Sequence, residues 1–189
     1  MDEKELIAQC RKEDAKAQKF LYNKYSGLML GLCVRYSKGL TDAEDILQEG
    51  FLKIFRNIKF FTGIGSFEGW MKRIFINTAI TYYHKNLKHQ YHQDITEINE
   101  TTIQNKDDEY EKSEFSKEEL LDVIKSLSDG YRMIFNLYAI EGYKHKEIAG
   151  IMNIDINTSK SQYSRAKKII QKKLLELKQL KYVKLQKKY

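Results

Sequence analysis

The 189 residues include no proline, two cysteines, one tryptophan and ten glycines. Without proline no turn is set by a locked φ, so glycine, asparagine and aspartate have to carry the turns. Cys10 and Cys33 both fall in apolar-periodic stretches. Two such residues give no disulfide framework and fit free, buried thiols in a reducing compartment. Long hydrophobic runs are also missing. The longest, residues 28–34, is interrupted by Gly31 and falls far short of the roughly 20 residues a membrane span needs. The opening MDEKELIAQCRKED is charged throughout, which excludes a secretory signal, so a cytoplasmic location is expected. No nucleophile elbow, phosphate loop or carboxylate pair is present. His84, His89 and His92 have no cysteine or paired carboxylate near them, and His145-Lys146-Glu147 is not a zincin signature. Neither catalytic residues nor a metal nor any other cofactor is expected, and the chain is not read as an enzyme.

Charge is plentiful. The chain carries +7 with a pI near 9.1, which favours an anionic partner. Its distribution is more telling than its total. Residues 1–92 carry 15 basic and 10 acidic side chains, residues 93–119 carry 3 and 10, and residues 120–189 carry 15 and 6. Two basic blocks are held apart by an acidic one.

Residues 3–22 show helical periodicity in Leu6, Ile7, Cys10, Ala17, Phe20 and Leu21, and a more apolar helix is expected from Tyr25 to Lys38. Gly39 is read as its stop. Thr41, with Glu44 three residues on, is read as the capping box of the next helix. That helix, residues 41–61, gathers Ala43, Leu47, Phe51, Ile54, Phe55 and Ile58 on one face. Asp42, Asp45 and Glu49 line the other, continued by Lys53 and Arg56. Acid early and base late suits the helix dipole. Ile46 falls among the carboxylates and Leu52 flanks them, an arrangement that also suits docking of a basic partner. Pattern alone leaves both readings open.

After Phe61 comes the short loop TGIGS, in which Ser66 is read as the cap of a further helix. Met71, Ile74, Phe75, Thr78 and Tyr82 form its expected buried face. Arg73, Asn77 and His84 share the other with Ile76, Ile80 and Tyr83, a mixture that suits unpaired nucleic acid. From Gln93 to Lys117 periodicity fails and the composition is that of a solvated linker. It returns with Leu120, Leu121, Ile124 and Leu127, then Tyr131, Ile134, Phe135 and Tyr138. Residues 145–174 read as helix–turn–helix. Ala149 is the crossing point, Asn153 takes the left-handed turn, and Asp155 caps the second helix. On that helix Ile156, Ser159, Tyr163, Ala166, Ile170 and Leu174 face inward. Asn157, Thr158, Ser161, Arg165, Lys168 and Lys172 face outward, short hydrogen-bonding residues first and cations after, as a major-groove helix requires. A basic solvated face is the plainer alternative.

The motifs themselves discriminate. D-A-E-D-x-x-Q-E-x-F-x-x-I-F, Asp42 to Phe55, closely resembles the second conserved region of bacterial RNA polymerase sigma factors of the extracytoplasmic-function group. In that family the helix docks on the clamp helices of the largest polymerase subunit. The resemblance implies Asp42, Asp45, Ile46, Gln48, Glu49 and Leu52 as contacts to core RNA polymerase. FTGIGSFEGWMKRIFINTAITYYHKN is similar to the family segment that captures a flipped base of the minus-10 promoter element and grips the melted strand. It implies Gly65, Ser66 and Phe67 at the flipped base, where extrusion exposes an edge to be read. Trp70, Lys72, Arg73, Asn77, Tyr82, Tyr83 and Lys85 become strand contacts. Thr81 and His84 depart from the acid and arginine common in the family.

The final segment, G-x-x-x-x-E-I-A-x-x-M-x-I-x-x-x-T-x-K-S-x-x-x-R-A-K-K, resembles the fourth sigma region, reader of the minus-35 element. It implies Asn157, Thr158, Lys160, Ser161, Arg165, Lys168 and Lys172 as duplex contacts. Asn153 stands where a turn glycine is usual, and Ser159, in place of a common valine, is expected to pack less firmly. The linker of such proteins threads near the polymerase active centre, and a plain tether would look the same.

The expected architecture is therefore all-α: two small helical domains, residues 1–92 and 118–178, joined by an acidic linker, 93–117, with a frayed basic tail at 179–189. The expected function is that of an alternative sigma factor. Its partners would be core RNA polymerase, promoter DNA and an anti-sigma factor, with no small-molecule substrate and no membrane insertion. A two-domain helix–turn–helix regulator working without polymerase would explain the C-terminal half, but gives the acidic ridge and the loop-to-tryptophan segment no task.

Overall fold

The computed structural model describes residues 2–90 and 115–186. All regular structure within them is helical and divides into two units, one ending at His89 and one beginning at Gln90. The all-α, two-domain expectation holds. Most of the expected linker lies outside the described residues. Among the described residues no helix is long and apolar enough to cross a membrane.

The first unit comprises α1 (Glu3–Arg11), α2 (Ala15–Tyr36), α3 (Leu40–Asn57), a 3₁₀ turn (Ile58–Phe60) and α4 (Phe67–Gln90). The break between the first two helices falls at residues 12–14, not near residue 23 as the periodicity predicted. Glu13 takes φ 60°, and the Asp14 carboxylate accepts the Ala17 N–H at 2.7 Å. A left-handed residue turns the chain and an aspartate supplies the acceptor a new helix lacks. Position 39 also differs from expectation. Gly39 sits in extended backbone at the N-cap of α3, with no side-chain cap, and Thr41 lies inside the first turn.

Packing of α2 on α3 forms the core. Leu21, Tyr25, Met29, Leu32 and Cys33 meet Ala43, Ile46, Leu47, Phe51 and Ile54, all buried. Burial pushes the Cys33 thiol up to about 12. Burial first, then Asp14, raises that of Cys10, so both stay protonated at neutral pH. The helix α4 closes the far side of α3. There the Phe75 ring, fully buried, occupies the space a side chain at Gly50 would need. A Cβ on Gly50 would stand 2.1 Å from one ring carbon and 2.4 Å from another. Phe51 meets the same ring edge-on at 5.3 Å.

The second unit comprises α5 (Lys117–Lys125), α6 (Asp129–Phe135), a π turn (Asn136–Ile140), α7 (His145–Met152) and α8 (Ile156–Gln186). Ser116 and Glu119 form a capping box at the start of α5. Val123 and Leu127 are its buried anchors, while Leu120, Leu121 and Ile124 are only half-buried. The buried Arg132 reaches back to α5. It donates to the Lys125 carbonyl at 3.3 Å, at the negative end of that helix, and also to the Leu127 carbonyl at 2.9 Å and to Asp129 at 2.6 Å. Asn153 adopts φ 53°, ψ 49°, as expected, and the Ile154 N–H bonds the Ala149 carbonyl at 3.0 Å. The tail predicted to fray is instead helical through Gln186. Lys181 pairs with Glu119 at 2.7 Å, tying that extension to α5.

Candidate docking and nucleic-acid surfaces

On α3 the acidic stripe is present, but two of its predicted members are engaged elsewhere. Asp45, Gln48 and Glu49 are exposed, and Leu52 is 50% exposed beside them. Ile46 is only 1% exposed and makes no surface anchor. With α2 on one side and α4 on the other, the buried arc of α3 is wider than one amphipathic stripe and takes in position 46. Asp42 is half-buried and accepts the Tyr82 hydroxyl at 2.8 Å. Burial, then that bond, raises the Tyr82 pKa and keeps the phenol a donor. A residue expected at the polymerase and one expected at the melted strand are thus bonded to each other. Glu49 pairs with Lys53 at 3.4 Å, four residues on, an exposed arrangement that leaves the carboxylate open to a competing cation.

The second surface begins at the loop of residues 62–66. Gly63 and Gly65 have φ of 82° and 79°, a region side chains enter at a cost. All five residues are exposed, Ile64 at 87%. Ser66 caps α4 as predicted, its Oγ accepting the Gly69 N–H at 3.0 Å. Phe67 contradicts its expected role. It is 1% exposed, with Phe61 at 5.2 Å, Trp70 stacked at 5.6 Å and Tyr25 edge-on at 6.2 Å. A ring enclosed in this way offers no face to a base. Trp70 is half-buried on the outer side of that cluster. Arg73, Asn77 and Lys85 are exposed, while Tyr82, Tyr83 and Lys72 are half-buried, Lys72 pairing with Glu68 at 2.7 Å. Ile76 and Ile80, expected on the outer face, are buried at 3% and 7% because α4 is covered over a broad arc. Sequence reasoning passed over Ile64 and Phe60, the latter 66% exposed. The glycines on either side of Ile64 were the signal available for it.

The third surface is the outer face of α8. Asn157, Lys160, Ser161, Arg165 and Lys172 are exposed, and Thr158 and Lys168 half-buried. Asp155 starts the helix by accepting the Asn157 N–H at 2.7 Å. On the inner face Ala166 is fully buried, but Ile156, at the first turn, is 39% exposed. Ser159 is fully buried, its Oγ 3.0 Å from His145 Nδ1. A polar contact there replaces the aliphatic packing that valine would give. His145 stacks on Tyr138 at 4.2 Å, and burial, then Lys160, lowers its pKa, which keeps the ring neutral at pH 7. Among the described residues no cluster of histidine, cysteine and carboxylates could hold a metal ion.

These surfaces coincide with known sequence regions. The Sigma-70 region 2 family matches residues 21–88, and Sigma-70, region 4 matches residues 117–170, together more than half of the chain. The chain is 29% identical over 180 residues to the ECF RNA polymerase sigma-E factor of Haemophilus influenzae, covering 91% of this chain and 95% of that protein. It is also 29% identical over 183 residues to the RNA polymerase sigma-H factor of Pseudomonas aeruginosa, covering 93% and 95%. Its fold is similar to that of the sigma factor RpoE from Bartonella quintana, solved with the anti-sigma factor NepR. That match has a TM-score of 0.50 at 20% identity and covers 82% of this chain and 95% of the other.

Proposed function

The chain belongs to the sigma-70 family of RNA polymerase sigma factors, and from that premise we propose how its three surfaces divide the work of an alternative sigma factor of the extracytoplasmic-function group. Core RNA polymerase docks on the exposed part of the α3 ridge, through Asp45, Gln48, Glu49 and Leu52. The outer face of α8 enters the minus-35 major groove, Asn157, Thr158 and Ser161 toward base edges and Lys160, Arg165, Lys168 and Lys172 toward phosphates. The loop around Gly65 and Ser66, with Trp70, Arg73, Asn77, Tyr83 and Lys85 on α4, takes the melted minus-10 strand. The factor contributes binding energy and strand separation and performs no covalent chemistry. An anti-sigma factor that covers these surfaces is the expected regulator.

The observation that carries this reading is the order of the two matched regions on two helical units, the first with an exposed acidic stripe and the second with a basic helix–turn–helix. Asn77 supplies the test, because its side chain is exposed and lies outside the core. Asn77→Ala should leave polymerase binding and minus-35 recognition unchanged and impair promoter opening. Losing one contact to an unpaired base costs about 1–3 kcal/mol, so the open-complex population should fall roughly tenfold. A pre-melted bubble should restore much of it. Permanganate footprinting on matched duplex and bubble templates measures both. Wild-type opening by the variant removes Asn77 from the strand surface. If the wild-type protein with core polymerase opens no promoter, a plain helix–turn–helix regulator becomes the better description.

The minus-35 face makes an independent demand. Arg165→Ala and Lys168→Ala should each weaken duplex binding and flatten its salt dependence by about one unit of slope in log K against log salt. Titration of binding across several salt concentrations reads this slope, and a slope equal to wild type would take that face off the phosphates.

A further inference from the structure

We infer that Arg11 is a positioning residue for strand capture, fixing the root of the loop of residues 62–66 from the far end of α1. The inference rests on the proposed meeting of that loop with the melted strand. Five consecutive exposed residues, two of them glycines at positive φ, contribute little packing of their own. Where the loop stands is therefore decided at its two ends. At the α4 end Ser66 caps the helix. At the α3 end the chain leaves through the 3₁₀ turn, where the Phe61 N–H bonds the Ile58 carbonyl at 3.2 Å, and the Phe61 ring is buried against Phe67 and Trp70.

Arg11 acts at this second end. Its Nε donates to the Ile58 carbonyl at 3.4 Å and its Nη2 to the Phe61 carbonyl, fifty residues along the chain. Both acceptors lie where α3 and its 3₁₀ extension run out, the negative end of the helix dipole. Arg11 is also the last residue of α1, so one cation serves two helix ends. The planar guanidinium addresses two carbonyls in fixed relation, which a lysine ammonium does as a point charge only. Its surface position keeps the desolvation cost low while the bonds remain charge-assisted. The turn that follows, with Glu13 left-handed and Asp14 capping α2, holds the end of α1 in place.

A loop released at its root would still bind the strand by charge but would discriminate less among bases. The readout is therefore a ratio. Holoenzyme assembled with core polymerase is titrated with four single-stranded minus-10 oligonucleotides that differ at the flipped position, and the affinities for best and worst base are compared. Such a ratio does not depend on the fraction of protein folded, which a merely structural loss would change. Arg11→Met, which keeps the aliphatic stem and removes every donor, should shrink the ratio by about three- to tenfold, the net scale of one ordinary hydrogen bond, since the loss reaches the base only through the position of the loop. Arg11→Lys should fall between Met and wild type, with core affinity unchanged in both. A wild-type ratio in Arg11→Met overturns the inference while leaving the loop's role intact. If Arg11→Met does not fold, a wild-type ratio in Arg11→Lys overturns it equally. If the wild-type protein itself shows no base preference, the loop reading fails and the positioning role with it.

Discussion

Phe67→Ala is expected to remove about 3–5 kcal/mol from the stability of the first unit, the usual cost of truncating a buried phenylalanine. The ring is enclosed by Phe61, Trp70 and Tyr25, and no surface movement can fill the space it leaves. Against a typical margin of 5–15 kcal/mol this is a large share. Polymerase binding, duplex opening and bubble binding should then fail together, at the lowered temperature or urea concentration at which the unit unfolds. Trp70, the chain's one tryptophan, lies beside the site, so its fluorescence during urea unfolding reports the change directly. A variant that unfolds at the wild-type midpoint and loses only promoter opening would mean that the ring meets the strand after all.

Asp45→Arg with Glu49→Arg should abolish capture of core polymerase. Both side chains are exposed. Within the protein the change mainly exchanges the Glu49–Lys53 pair for a repulsion, a matter of a few tenths of a kcal/mol. Against a basic partner it replaces two attractions by two repulsions, and like charges across an interface cost several kcal/mol. At about 1.4 kcal/mol per tenfold, binding should weaken by at least roughly a hundredfold. Co-purification with tagged core polymerase, beside circular dichroism to confirm helicity, settles the matter. Undiminished capture would take the ridge out of the docking surface.

The sequence carried the helices, the turn at Asn153, the caps at Ser66 and Asp155, and the outer face of α8. It lost accuracy wherever a helix is covered on two sides. One amphipathic stripe predicts one buried arc, and Ile46, Ile76 and Ile80 were placed outside theirs because α3 and α4 are each enclosed more widely. Gly50 concealed the geometry, since a glycine adds nothing to a hydrophobic pattern while admitting Phe75 to the core. The break at residue 13 was hidden for a related reason. A left-handed glutamate has no composition signal, and the cap at Asp14 lies inside a stretch whose apolar periodicity runs on without a break. Phe67 was assigned by family resemblance, which does not reveal the direction of a ring. The Asp42–Tyr82 bond joins residues 40 apart that no local pattern connects.

Gly50 and Phe75 also constrain how such a chain could change over generations. A side chain added at 50 meets ring carbons at 2.1 and 2.4 Å. The strain of an overfilled core, typically about 1–3 kcal/mol, outweighs the ~1 kcal/mol that alanine gains over glycine in a helix. Shrinking Phe75 first leaves a void instead, at about 3–5 kcal/mol for alanine. Either single step leads downhill in fitness, although the double replacement can restore the packed volume. The two positions are therefore in reciprocal epistasis: a lineage leaves this pairing by changing both at once, or by first accumulating stability elsewhere to spend on the crossing.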